Sequence, residues 1–195
     1  MYGPLRNGLI AIYPSLFGNQ SLTNDAFVCE CLNGWFDLIA ANLKLIERYA
    51  ELERLKVEVV QIKEKFGLLR IYHFGGDLVV DSILDIAELV SGCVCEVCGA
   101  QGSVGEHQGW LRTRCHLHRE INESDSVING NNGYIENYVK CVALLLWFFK
   151  DNSVSWVNQE CLGLGGQRPF ELLTSSEGCE QVYMLIRRLE SGVVV

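Results

Sequence analysis

Two short knuckles, Cys95-x2-Cys98 and Cys115-x2-His118, stand sixteen residues apart and dictate the local fold more than any other pattern in the chain. Zinc favours four soft or borderline ligands at the corners of a tetrahedron, and two such knuckles on neighbouring loops supply them. Four protein ligands close the coordination shell, so the spacing points to a structural Zn2+ rather than a catalytic one. Gly99 follows the second cysteine, where the turn gains from a residue free to take positive φ. The competing explanation, buried free thiols, leaves Cys115-x2-His118 to coincidence. Three substitutes for one of the four ligands stay open: Cys93 two residues before Cys95, His107 in mid-loop, and His116 beside Cys115.

With nine cysteines and no secretory leader pattern at its start, the chain reads as cytoplasmic, with reduced thiols and a metal instead of a disulfide framework. The longest apolar run, Cys141 to Phe149, is too short to span a bilayer, so no membrane role is expected. The formal net charge is −8. Nine acids against five bases from Ile121 onward, and fifteen against eleven before it, leave both parts acidic. That disfavours a nucleic-acid partner, which calls for clustered Lys and Arg to displace counterions from phosphates.

The 195 residues, 49% hydrophobic, suffice for one ordinary domain or two small ones. Helical spacing of Trp35, Leu38, Ile39, Ile46 and Tyr49 predicts a long amphipathic helix over Asn33 to Arg54. Val57 to Phe74 reads as a β-hairpin, with VEVVQI and LLRIYHF as strands and KEKFG as the turn region. Helical periodicity returns from Leu78 to Val90. The polar stretch 122–133, with four Asn and two Gly, reads as a linker or long loop. Beyond it, helices are expected over Tyr134 to Lys150, briefly over Ser153 to Gln159, and over Glu177 to Ser191. Thr174-Ser175-Ser176-Glu177 is a capping-box match for the last of these, and Gly192 is placed to stop it. The expected fold is α+β: an N-terminal helix, β-hairpin and zinc-knuckle module (1–121), the linker (122–133), and a small all-α C-terminal domain (134–195). Oligomeric state is left open, a dimer included.

Two resemblances add to this. Ile62-Lys63-Glu64-Lys65-Phe66-Gly67, Leu69-Arg70-Ile71-Tyr72, Cys95-Glu96-x-Cys98-Gly99 and Gly109-Trp110-x2-Thr113-x-Cys115-x2-His118 together resemble a zinc-ribbon-like module of bacterial and phage proteins, over about residues 10–120. That resemblance brings no activity with it; Lys63, Lys65 and Arg70 read as a solvated hairpin face more readily than as a binding patch. At the other end, Trp156, Leu164-Gly165-Gly166-x2-Pro169-Phe170-Glu171-Leu172-Leu173 and Glu177-Gly178-x3-Val182-x2-Leu185-Ile186-x-Arg188-Leu189-Glu190-x-Gly192 are similar to the toxin-binding domain of Xre/MbcA/ParS-type antitoxins. The similarity implies a protein toxin as partner, commonly an NAD-degrading RES-type enzyme, blocked at its active site by the antitoxin's C-terminal end. It assigns the contact to Arg188, Leu189, Glu190, Gly192 and the tail Val193, Val194 and Val195, with Gly165, Gly166 and Pro169 as the structural loop. The helical DNA-binding region usual in such antitoxins has no counterpart here, which puts repression of an operon in doubt. Two rival readings remain: a phage or mobile-element inhibitor of another host defence protein, and a zinc-ribbon nucleic-acid-binding regulator.

Catalysis is not expected. The chain lacks G-x-S-x-G, a phosphate-cradling loop ending in Lys-Ser/Thr, HExxH, and the H-x-E with P-C-x2-C of zinc deaminases. Cys161 is a nucleophile candidate on composition alone.

Overall fold

The computed structural model describes residues 1, 3–18, 28–119 and 131–192. Two short helices, α1 (Gly3–Ile12) and α2 (Pro14–Phe17), precede strand β1 (Val28–Glu30). A 3-10 turn at Asn33–Trp35 then leads into α3 (Phe36–Glu53). The hairpin follows as β2 (Val57–Lys65) and β3 (Leu68–Gly75), and then α4 (Leu78–Ser91). Strands β4 (Ser103–His107) and β5 (Trp110–Arg114) form a separate antiparallel ribbon. The C-terminal part is helical: α5 (Asn132–Phe149), α6 (Ser153–Val157), α7 (Pro169–Leu172) and α8 (Ser176–Glu190). The architecture is thus α+β, with an all-α C-terminal region.

The hairpin turn is tighter than the sequence suggests. KEK continues β2, and only Phe66-Gly67 turns, both at positive φ (56° and 81°). That hand matches the right-handed twist of paired strands. β1 joins β2 in parallel to give a three-stranded sheet of order β1-β2-β3. The sheet's inward residues Val57, Val59, Ile62 and Leu69 enter one core with Leu38, Ile39, Leu43 and Ile46 of α3. Tyr138, Val142 and Leu145 of α5, with Val182 and Ile186 of α8, belong to the same core.

Residues on the two sides of the 122–133 stretch are therefore packed together. Polar bonds reinforce the contact. The fully buried Tyr138 hydroxyl donates to Asn42 Oδ1 at 3.4 Å, and the backbone N–H of Asn131 donates to Asp37 Oδ1 at 3.1 Å. Residues 122–130 of the expected linker lie outside the described residues. Asn131 is the N-cap of α5, its side chain accepting from the Tyr134 amide at 3.1 Å, and Asn132 and Gly133 already belong to that helix.

Helix ends follow cap chemistry. Asp77 caps α4 by accepting from the amides of Val79 and Val80. The cap of α8 lies one residue later than the capping-box pattern places it. Ser175, not Thr174, accepts from the Gly178 amide at 3.1 Å, while the Thr174 hydroxyl donates back to Glu171 O. Gly192, at φ 72°, ends α8 with its amide donating to Leu189 O at 3.0 Å.

Candidate metal centre and partner-binding face

Cys95 and Cys98 lie in the turn between α4 and β4, Cys115 directly after β5, and His118 in a 3-10 turn, His116–His118. The knuckle is built by backbone bonds: Cys95 N–H to Ala100 O at 2.7 Å and Gly99 N–H to Cys95 O at 2.9 Å, with Gly99 at φ 77°. The ligand atoms of Cys95, Cys98, Cys115 and His118 all lie within 4.8 Å of one another. Cys98 Sγ and Cys115 Sγ are 3.8 Å apart, and Cys95 Sγ is 3.6 Å from His118 Nδ1. A tetrahedral zinc with bonds of about 2.3 Å to sulfur and about 2.05 Å to nitrogen requires edges of about 3.8 Å and 3.6 Å. The Cys115 Sγ to His118 Nδ1 edge is shorter, at 3.2 Å. A Cys3His cluster capable of holding a metal ion is present. Of the three substitutes, His107 is turned to the backbone, its Nδ1 being 2.9 Å from Arg119 O, and neither Cys93 nor His116 joins the cluster.

The electrostatics suit a cation. Burial, with Cys95 alongside, pushes the Cys98 thiol up to about 11 despite a hydrogen bond from the Ala100 amide. Burial also raises Cys115, but hydrogen bonds from the His118 side chain and from the amides of His118 and Leu117 outweigh it, bringing that thiol to about 7. A divalent cation held by these four groups would supply the charge that deprotonated sulfur ligands need.

The cluster is fastened to the rest of the molecule at named points. Trp35, fully buried, donates its indole N–H to Val94 O at 2.8 Å. Gly34 donates to Glu96 O at 2.8 Å, and a Cβ at Gly34 would lie 2.1 Å from Cys95 O, so no other residue fits. Glu96 is 1% exposed and pairs with the buried Arg114, 4% exposed, at 2.9 Å. Thr113 donates its hydroxyl to Gly67 O at 2.5 Å, which docks the ribbon on the hairpin tip. Sequence reasoning gave Gly34 no role, placed Trp35 only on the helical stripe and Glu96 only within the knuckle motif; Glu96 carried a signal, being an acid inside a knuckle with two arginines on the facing strand. The hairpin cations are occupied locally: Lys63 stands 5.1 Å over the Tyr72 ring, Lys65 5.5 Å over Phe66, and Arg70 pairs with Glu88.

In the C-terminal region, the Leu162–Leu164 turn ends at Gly165 and Gly166, with φ of 69° and 81°. Pro169 opens α7, as its fixed φ favours. The loop and α8 enclose a groove of about 580 Å³ lined by Leu164, Glu177, Met184, Leu185 and Arg188 among others. Leu162, next in sequence to the groove-lining Gly163, is 92% exposed. Arg188 therefore lines the groove. Glu190 pairs with Arg187 in the last turn of α8, Leu189 is on the same helix, and Gly192 ends it. Val193, Val194 and Val195 lie outside the described residues.

The fold is thus a mixed N-terminal half carrying a Cys3His cluster able to hold a metal ion and a helical C-terminal half bearing an open groove. Residues 145–192 match the family profile described as the antitoxin Xre/MbcA/ParS C-terminal toxin-binding domain. No curated protein and no solved structure matches the chain. Among the described residues no helix is long and apolar enough to cross a membrane.

Proposed function

We propose that the protein is an antitoxin, binding a partner toxin in a stoichiometric complex and blocking it sterically, without turnover. The observation that carries this is the match of residues 145–192 to a toxin-binding domain, over a stretch whose glycine loop and closing helix leave an open face. The partner we favour is a RES-type, NAD-degrading toxin. Arg188, Leu189, Glu190 and Gly192, continued by Val193–Val195, form the contact region, and residues 134–195 are the unit that makes it. The Cys3His cluster holds one structural Zn2+ in a reducing, cytoplasmic setting, a reading supported by the tetrahedral edge lengths and by nine free cysteines.

Co-expression with a RES-type toxin tests the proposal. Growth and cellular NAD should be restored, and the two chains should copurify in fixed ratio. Continued NAD loss with a stably expressed chain would refute the reading. Deleting Val193–Val195 should weaken protection; unchanged protection would remove the tail from the contact while leaving the binding domain in place.

A further inference from the structure

We infer that the groove between the Leu162–Gly166 loop and α8 receives an amphipathic helix of the partner, oriented by opposite charges at its two ends; this rests on the antitoxin reading. The groove is graded along α8. Glu177 and Glu180 lie at one end, Leu164, Met184 and Leu185 in the middle, and Arg188 at the other. Met184 is 45% exposed in the middle of the groove. Glu180 is met by Lys140 at 4.0 Å, but among the described residues neither Glu177 nor Arg188 has an ion-pair partner. Glu177 and Arg188 stand eleven positions apart on α8, about 16 Å at 1.5 Å per residue, or three turns.

The shape selects a helix as occupant. No strand is formed among the described residues 131–192, so there is no edge for a partner strand to extend. No aromatic side chain lines the groove, which removes the stacking that polyproline ligands need. A helix laid in an apolar groove anchors through residues at i, i+3 or i+4, and i+7. The matching helix carries Lys or Arg facing Glu177, apolar anchors over Leu164 and Met184, and Asp or Glu about eleven residues from the base, facing Arg188. Gly165 and Gly166 have nothing within 4 Å of where a Cβ would stand, so the rim is open to close backbone approach.

The experiment uses the full zinc-loaded chain and a RES-type toxin. Affinity is measured for wild type, Met184→Lys and Leu162→Asp, with melting temperature as the folding control. Both positions are solvent-exposed, so the fold should survive. The expected result is at least a tenfold loss of affinity in each variant at unchanged melting temperature. A photocrosslinker at position 184 should label a toxin helix with the stated charge order. Wild-type affinity in both variants overturns the groove alone, as does a crosslink to a second copy of this chain. A wild-type chain that binds no toxin overturns the antitoxin reading, and the groove with it.

Discussion

At the residue scale, the metal module depends on a few contacts that leave no slack. Gly34 lies against the Cys95 carbonyl, so Gly34→Ala must push the 3-10 turn and the knuckle apart. Overpacking of this kind costs about 2 kcal/mol or more, and a urea midpoint lowered accordingly is the expected result. Glu96 and Arg114 are buried together, with burial raising the Glu96 carboxyl and the two arginines opposing that rise. Glu96→Ala leaves Arg114 buried without its counter-ion, a loss of about 3–5 kcal/mol. Glu96→Gln, which still accepts a hydrogen bond, should lose less. Equal losses in the two variants would show that the charge itself does not matter.

At the scale of elements, α5 joins the two halves. Its Glu136 meets Lys44 and Arg48 of α3. The Lys44 hydrogen bond comes first among the causes that hold the Glu136 carboxyl below its ordinary 4.5. A folded-state value below the unfolded one means that the contribution is complete above about pH 4.5 and disappears as pH falls through the lower value. The pair is exposed, so it contributes under about 1 kcal/mol. Glu136→Gln should therefore lower the urea midpoint slightly at pH 7, with the difference from wild type closing in acid and shrinking in high salt. At α8 the cap decides where the helix begins. Ser175→Ala should cost about 1 kcal/mol, whereas Thr174→Ala, which leaves the Gly178 amide bonded, should cost less.

At the scale of the molecule, the cluster and the core are separate sources of order. Cys95, Val97 and Cys115 form a small cluster of their own beside the main core. With so little apolar interior, the ribbon is the part of the fold that a bound metal would stabilise most. Purified protein should carry one zinc, lost in Cys98→Ser or on chelation. Hydrogen exchange should then show residues 93–119 losing protection while the α3, α5 and α8 core keeps its own. Unchanged protection over 93–119 after complete zinc removal would make the cluster an ornament rather than a staple.

The sequence by itself determined the features that rest on local chemistry. Ligand spacing identified the Cys3His set, because a tetrahedral site tolerates few loop lengths; apolar periodicity identified α3, α4, α8 and the hairpin, and an apolar stretch on most faces identified α5. The glycine loop and the closing helix were legible for the same reason, since positive φ and an amphipathic stripe are written in neighbouring residues. Only the tertiary structure decided what depends on residues distant in the chain. It joined β1 to β2 in parallel and packed α5 on α3 across the 122–133 stretch. It also pressed Gly34 against Cys95, and turned one face of α8 and a glycine loop into a groove with unlike ends. None of these contacts has a local signature, because each is a match of surfaces that meet only when the core closes.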